Sequence, residues 1–264
     1  INMGGIESYG LKLSSRGNNE AGMIFKNTGT INVSGINGAN TSRSSGMAVI
    51  EDASLTGDNS VRAYTGVVTN DGIINVSGGF GNSGMILRVM SGDDITNTST
   101  GVINLSGTST LGMRVGYGTV PSGIEGGPSA INLGTINVNG TSDLGIIANG
   151  NSVVTPALRA TGLNSGNITI TGTGSGALYS LNGATITNTA TGTNHILITG
   201  SGSIGMVVSD VLSTGTNSGR INVTGNNSAG IYNVGTFNMT DGSITAAAPG
   251  SVGVYAKPAS NTSI

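Results

Sequence analysis

The sequence predicts an all-β fold: a right-handed parallel β-helix of about eight to nine coils, with three short strands in each coil. Three observations lead to this prediction. One heptapeptide recurs along the chain, a second glycine motif follows each copy, and the spacing leaves no room for helices between strands. The heptapeptide reads GTINVSG at 29–35 and returns with small changes at 72–78, 101–107, 134–140 and 219–225. Self-similarity at a period of about 20 to 50 residues is typical of solenoids and other repeat arrays.

The heptapeptide itself predicts the first strand of each coil. Ile31 and Val33 flank Asn32, and the later copies keep this alternation. A period of two indicates a strand with one buried face. Because equivalent strands stack in a β-helix, we expect one interior column of β-branched residues, a type that suits a pleated surface. Its members are Ile31, Ile74, Ile103, Ile136, Ile168, Ile196, Ile221 and Ile244.

A glycine followed by an apolar residue predicts the second strand. These pairs are Gly46-Met47, Gly84-Met85, Gly112-Met113, Gly145-Ile146, Gly176-Ala177, Gly205-Met206, Gly230-Ile231 and Gly253-Val254. Tyr9-Gly10-Leu11 resembles the same motif, so residues 1–28 are predicted to form part of a further coil. Stretches such as ITNTSTG at 95–101 and ATITNTATG at 184–192 indicate the third strand.

The length and the residue pattern of the repeat disfavour the competing repeat folds. The shortest unit runs from Gly219 to Gly242, which is too short to hold a crossover helix of about 10 residues. The leucine-rich pattern and the aromatic signature of a propeller blade are both missing from the sequence. Residues 1–264 are therefore predicted to form a single β-helix segment. We expect it to be a fragment of a longer surface protein that includes neither a signal peptide nor a membrane barrel.

The asparagine of the heptapeptide points away from the predicted core. Side-chain amides stacked in register can hydrogen-bond along the stack, which predicts a structural ladder rather than a ligand-binding stripe. Its predicted members are Asn32, Asn75, Asn104, Asn137 and Asn222, interrupted by Thr169, Leu197 and Thr245. The turn glycines Gly29 and Gly35 are expected to adopt backbone angles that other residues resist.

The composition excludes several classes of protein. Hydrophobic residues make up 36% of the chain, which is more than a disordered segment carries. A net charge of -2 without any Lys/Arg cluster argues against a nucleic-acid partner. The chain has no cysteine, so disulfides and thiolate metal sites are impossible. No apolar run approaches the roughly 20 residues of a membrane-spanning helix.

The chemistry-bearing residues do not predict an active site. The acidic residues are thinly scattered, and alternation along a strand would send Asp93 and Asp94 to opposite sides. His195 is the only histidine, which excludes a multi-histidine zinc site within this chain and favours a plain surface residue. We therefore predict no catalytic residues, no metal, no cofactor and no enzymatic activity.

The repeats resemble a known family. TGTINVSG at 28–35 followed by SSGM at 44–47, together with NSGM at 82–85, is similar to the passenger domains of type V autotransporters. The likeness is greatest to the large fusobacterial-type outer-membrane autotransporter adhesins. It implies display on the bacterial cell surface, either anchored to the outer membrane or secreted. It also implies a stalk that presents loops for attachment to host cells or other microbes, through a surface glycan or a protein receptor.

The segments that do not repeat are the candidate binding loops. The two largest variable gaps contain residues 52–66 and 114–130. Tyrosine and arginine are favoured at binding hot spots, and insertions on one face of a solenoid often form its binding face. The candidate ligand-binding residues are Asp58, Arg62, Tyr64, Arg114, Tyr117 and Glu125. Two alternative functions remain open: a β-helix enzyme that degrades polysaccharides, and a trimeric module like a phage tailspike.

Overall fold

The structure is a right-handed parallel β-helix, as the sequence predicts. The computed structural model describes residues 1–5, 8–15, 24–35, 44–51, 67–88, 94–116, 127–150, 159–190, 192 and 195–264. Within these residues, three parallel sheets contain nine strands each. No helix among them is long and apolar enough to cross a membrane.

Each sheet takes every third strand of the chain. Sheet 1 contains Asn2–Met3 (β1), Thr30–Val33 (β4), Ile73–Val76 (β7), Val102–Leu105 (β10), Thr135–Val138 (β13), Asn167–Ile170 (β16), Ile196–Ile198 (β19), Arg220–Val223 (β22) and Ser243–Ala246 (β25). Sheet 2 contains Tyr9–Ser15 (β2), Ser45–Glu51 (β5), Ser83–Arg88 (β8), Leu111–Gly116 (β11), Leu144–Asn149 (β14), Gly176–Leu181 (β17), Ile204–Val208 (β20), Ala229–Asn233 (β23) and Val252–Ala256 (β26). Sheet 3 contains Ile24–Asn27 (β3), Val67–Asn70 (β6), Asp94–Asn97 (β9), Ser129–Asn132 (β12), Thr161–Asn164 (β15), Thr185–Asn188 (β18), Thr214–Asn217 (β21), Thr236–Met239 (β24) and Asn261–Ser263 (β27). Three consecutive strands, one from each sheet, form a rung, and rungs 1 to 9 follow chain order.

The isoleucine column of sheet 1 is confirmed. Ile74 pairs with Ile31 on one side and Ile103 on the other, and this register continues through the sheet. The isoleucines from Ile31 to Ile221 are at most 1% exposed, and Ile244 in the last rung is half-buried. Neighbouring strands lie about 4.8 Å apart. The nine rungs therefore bury one continuous apolar core along a rod about 40 Å long.

The second strand is confirmed in every rung, but its predicted alignment is wrong in rung 6. Leu144 pairs with Gly176 and Ile146 with Leu178. Ala177, rather than Gly176, therefore occupies the column that holds Gly145 in rung 5. Ala177 is fully buried, so this column accepts a methyl group in one rung.

The predicted reason for two turn glycines is also wrong. Neither Gly29 nor Gly35 has a positive φ. A Cβ on Gly35 would instead overlap the Gly5 carbonyl oxygen of the rung below. A Cβ on Gly29 would meet no atom of the described part of the chain within 4 Å. Glycine is needed at Gly35 because two rungs approach closely there, not because of a special backbone angle.

Gly72 and Gly29 occupy the same motif position, so their substitutions make a matched pair. A Cβ on Gly72 would overlap the Gly29 carbonyl oxygen and lie 2.8 Å from the Thr28 carbonyl carbon. We expect Gly72→Ala to lower the free energy of unfolding by about 1–3 kcal/mol, a typical cost of overpacking. Gly29→Ala should be neutral or raise it by up to about 1 kcal/mol, because it restricts the unfolded chain. Urea unfolding of both variants measures this, and equal losses would contradict the packing argument.

Candidate functional site

The connections between sheet 2 and sheet 3 are the candidate functional site. All of them leave and return along one edge of the rod, here called the 2–3 edge, because each follows a sheet 2 strand and precedes a sheet 3 strand. In rungs 1 to 5 they are residues 16–23, 52–66, 89–93, 117–128 and 150–160. In rungs 6 to 9 they shorten to residues 182–184, 209–213, 234–235 and 257–260. Four of the five longest connections between strands thus lie on this edge, in rungs 1, 2, 4 and 5, while the five-residue connection of rung 3 is as long as that of rung 7.

The predicted binding loops are both anchored on this edge. Residues 52–66 join β5 to β6 in rung 2, and residues 117–128 join β11 to β12 in rung 4. Two rungs separate their anchors, which corresponds to about 10 Å along the axis. A third long connection, residues 150–160, follows in rung 5. Sequence reasoning missed this third member, although the gap before the next heptapeptide copy is nearly as long as in rung 4.

Five of the six candidate ligand-binding residues lie outside the described residues: Asp58, Arg62, Tyr64, Tyr117 and Glu125. Their role stays a prediction. Arg114 is described, and its placement in a loop is wrong because it lies within β11. It pairs with Ile86 and Ile147 in register, at a half-buried outward position of sheet 2. Its side chain thus belongs to the outer face of sheet 2, three residues before the start of the 117–128 connection.

The outer face of sheet 2 is apolar over several rungs. One outward column includes Leu111, Leu144 and Ile204. The other includes Ile86, Ile147, Tyr179 and Val207. Ile86 and Val207 are only 6% and 7% exposed. At the C-terminal end of this face, the Tyr232 and Tyr255 rings stack with centroids 5.5 Å apart. They border an open groove of about 230 Å³ whose lining includes Ala229 and Val252.

Two of the described carboxylates, Asp71 and Asp210, each make hydrogen bonds within their own region of the rod. Asp71 forms an ion pair with Lys26 at 2.5 Å and accepts a hydrogen bond from the Thr98 hydroxyl at 2.9 Å. These contacts, led by Lys26, hold the pKa of Asp71 below its usual range. Asp210 accepts hydrogen bonds from the Asn182 and Leu212 backbone N–H groups at 2.6 and 3.0 Å. Both side chains stabilise turns that connect the sheets.

His195 is half-buried and lies immediately before β19. Its backbone N–H donates to Asn167 Oδ1 at 3.1 Å, and its carbonyl oxygen accepts from the Ile168 N–H at 3.1 Å. Among the residues that the structure describes, no three of the types His, Cys, Asp and Glu lie together in a way that could hold a metal ion.

The outward asparagines form the outer Asn ladder in rungs 1 to 5. Asn75 Nδ2 donates to Asn32 Oδ1 at 2.7 Å, and Asn104 and Asn137 continue the series at 2.8 Å. Asn32 extends it to Asn2, which the sequence prediction did not include. Asn222 pairs in register with Leu197 and Thr245, so it has no amide neighbour in its column. The ladder therefore stabilises the first half of sheet 1.

Sequence reasoning missed a longer ladder inside the core. The last asparagine of each sheet 3 strand in rungs 1 to 7 belongs to this inner Asn ladder: Asn27, Asn70, Asn97, Asn132, Asn164, Asn188 and Asn217. Each Nδ2 donates to the next Oδ1 at 2.8–2.9 Å. All but Asn27 are fully buried, and Asn27 is 6% exposed. Most also donate to a glycine carbonyl in the following turn, as Asn132 does to Gly134 at 3.4 Å. The ladder ends where Met239 follows Asn217.

These arrangements define a rod held by stacked backbone and amide hydrogen bonds, with variable connections on one edge. No known protein family, curated protein or solved structure matches the chain. Its fold and its geometry are therefore the grounds for assigning a function.

Proposed function

We propose that this chain is a structural and adhesive stalk segment of a bacterial surface protein, with the 2–3 edge of rungs 1 to 5 as its binding edge. One observation carries the proposal: four of the five longest connections between strands, those of rungs 1, 2, 4 and 5, leave the rod on the same edge. A solenoid whose insertions lie on one face presents them together to a partner. The resemblance of the repeats to autotransporter passenger domains supports placement on the cell surface, anchored or secreted.

The rod accounts for the stalk part of the proposal. Every rung repeats the same three strands, and the two Asn ladders cross-link successive rungs throughout rungs 1 to 7. Such a body keeps its connections at fixed spacing of about 4.8 Å per rung. The partner would be a glycan or protein receptor on a host cell or another microbe.

Exchange of connections tests the binding edge. We expect replacement of residues 52–66 and 117–128 by the two-residue connection of rung 8 (residues 234–235) to abolish attachment of protein-coated beads to epithelial cells and to bacteria. The rod should remain folded, because the anchoring strands of these rungs have the same register as those of rung 8. Far-UV circular dichroism checks the fold.

The matched control shortens a connection on another edge. Residues 34–44 join sheet 1 to sheet 2 in rung 2, where rung 8 uses residues 224–228. Replacing the first by the second should leave bead attachment unchanged. If the 2–3 edge variant still attaches like the parent chain, this segment is stalk alone. Product release from a panel of polysaccharides would favour the enzyme instead, and a trimeric mass in solution would favour a tailspike-like module.

A further inference from the structure

The last residue before each sheet 2 strand lies in a column that links successive rungs and is buried in rungs 2 to 8. This turn column consists of Ser8, Ser44, Asn82, Thr110, Asp143, Ser175, Ser203, Ser228 and Ser251. Most of its side chains make the same two kinds of hydrogen bond. In the first, the side-chain oxygen accepts a hydrogen bond from the backbone N–H of the column residue in the preceding rung, as Ser203 Oγ accepts from Ser175 at 3.1 Å. In the second, the side chain donates a hydrogen bond to a glycine carbonyl oxygen of that preceding rung, as Ser203 Oγ donates to Gly172 at 2.9 Å.

The donation to glycine recurs along the column with serine and asparagine alike. Ser44 donates to Gly5 at 3.0 Å, and Asn82 Nδ2 donates to Gly35 at 2.9 Å. Ser175, Ser228 and Ser251 do the same toward Gly140, Gly200 and Gly225 at 3.2, 2.9 and 2.7 Å. Six of the nine column residues therefore place a hydrogen-bond donor against a glycine carbonyl of the preceding rung, whereas Thr110 does not.

Asp143 makes the first of these hydrogen bonds but not the second. Its Oδ1 accepts the Thr110 backbone N–H at 2.7 Å. Its Oδ2 is buried and has no hydrogen-bond partner among the residues that the structure describes. A Cβ on Gly140 would overlap both Asp143 Oδ2 and the Gly107 carbonyl oxygen, so these two oxygens adjoin the same small space. An ionised carboxylate would turn a negative oxygen toward a carbonyl oxygen, whereas a carboxylic acid would supply the donor that most residues of the column supply.

We propose that Asp143 is a neutral carboxylic acid in the folded rod, with its Oδ2–H donated to the Gly107 carbonyl oxygen. Asp143 takes up this proton from solvent when rung 5 folds and releases it to solvent when rung 5 unfolds. Rung 5 therefore contains a proton-dependent link to rung 4, and the rod loses stability as the pH rises. This inference does not depend on adhesion.

The surroundings of Asp143 favour the neutral form. Asp143 is fully buried, and burial is the main cause that raises the pKa of its carboxyl group. The Thr110 backbone N–H, the Thr110 hydroxyl and the Gly140 backbone N–H act in the opposite direction but are outweighed. The strands packed around it are β10, β11, β13, β14, β16 and β17. Their titratable residues are Arg114 and Tyr179, and both occupy outward positions of sheet 2.

The raised pKa fixes the direction of the pH effect. Because the folded state holds the proton more tightly than the unfolded chain, this contribution to stability is complete below the unfolded pKa of 3.8. It is lost as the pH rises through the pKa of the folded state. A carboxylate with a lowered pKa, such as Asp71, has the opposite dependence.

Carbon-13 NMR of the aspartate carboxyl groups in the 264-residue chain tests the protonation state directly. The Asp143 resonance is assigned as the one that disappears in Asp143→Asn. We expect it to titrate above 3.8, while Asp71 in the same sample titrates below 3.8. If Asp143 titrates at or below 3.8, the proposal is overturned.

Unfolding at a series of pH values tests the consequence. Asn82 shows that an amide fits the column, so Asp143→Asn keeps a donor that does not titrate, and Asp143→Ser copies the other rungs. The unfolding equilibrium constant of the parent chain, divided by that of Asp143→Asn, should rise tenfold per pH unit between 3.8 and the folded pKa. It should be constant on either side. A ratio that does not change with pH would overturn the proposal.

Discussion

Replacing Asn132 by aspartate is expected to lower the free energy of unfolding by about 3–5 kcal/mol at neutral pH, the cost of leaving a buried charge without a partner. Asn132 lies in the middle of the inner Asn ladder and is fully buried. It accepts from Asn97 Nδ2 and donates to Asn164 Oδ1, both at 2.8 Å. The substitution keeps the shape of the side chain and leaves no cavity. It replaces the Nδ2 donor of Asn132 by a carboxylate oxygen, and this oxygen faces Asn164 Oδ1.

The matched control is Asn104→Asp in the outer Asn ladder. Asn104 makes the same type of hydrogen bond, to Asn75 Oδ1 at 2.8 Å, but it is half-buried on the outer face of sheet 1. Because water can solvate the new carboxylate there, we expect a loss of only about 1 kcal/mol. Urea unfolding at pH 7 compares the two variants, and part of the Asn132→Asp loss should return in acid as the buried carboxyl is protonated. Equal losses would show that burial of the inner Asn ladder has no special weight.

The strand pattern of sheet 1 could be predicted because its chemistry matches its geometry. In TINV, the apolar residues Ile31 and Val33 face the core and Asn32 faces out, so alternation of polarity reports alternation of direction. In the sheet 3 strand VVTN, Val68 and Asn70 both face the core. A prediction from alternating hydrophobicity assigns polar residues to the outer face, so it wrongly places Asn70 there. Only the hydrogen bonds along the stack explain why a polar side chain is buried there.

A sequence signal for the inner Asn ladder exists nevertheless. In five rungs the asparagine stands two residues before the first glycine of the heptapeptide motif, as Asn27 does before Gly29. The turn column is likewise visible as a small polar residue two positions before the second-motif glycine, such as Ser44 before Gly46. Ser175 stands two residues before Ala177, which would have corrected the alignment of rung 6. Both signals are positional, and neither depends on hydrophobicity.

The candidate site could be predicted only as a location. Stacking constrains the residues of each strand, because each must fit the rung on either side. The connections on the 2–3 edge differ in length from rung to rung, so their residues carry no periodic signal to interpret. Arg114 could have been placed better: it alternates with Met113 and Val115, which are both fully buried, so period two assigns it to the outer face of a strand.

Replacing Phe237 by alanine is expected to lower the free energy of unfolding by about 3–5 kcal/mol, since it removes a large buried ring and leaves a cavity. Phe237 is fully buried in sheet 3 and pairs in register with Gly215. A Cβ on Gly215 would meet Phe237 Cδ2 at 3.3 Å and Val208 Cγ2 at 2.6 Å, so the ring fills space that the glycine leaves open. The large residue in rung 8 thus complements the small one in rung 7.

Phe25 provides the control, since it occupies the same column of sheet 3 in rung 1. It is half-buried and packs against the edge of the core, so Phe25→Ala should cost about 1 kcal/mol for the smaller apolar area that it exposes. Phe237→Leu should cost less than about 1.5 kcal/mol, because it keeps most of the volume. Urea unfolding distinguishes the three variants. If Phe237→Ala and Phe25→Ala cost the same, the cavity beside Gly215 does not form, and the neighbouring rungs must close around the missing ring.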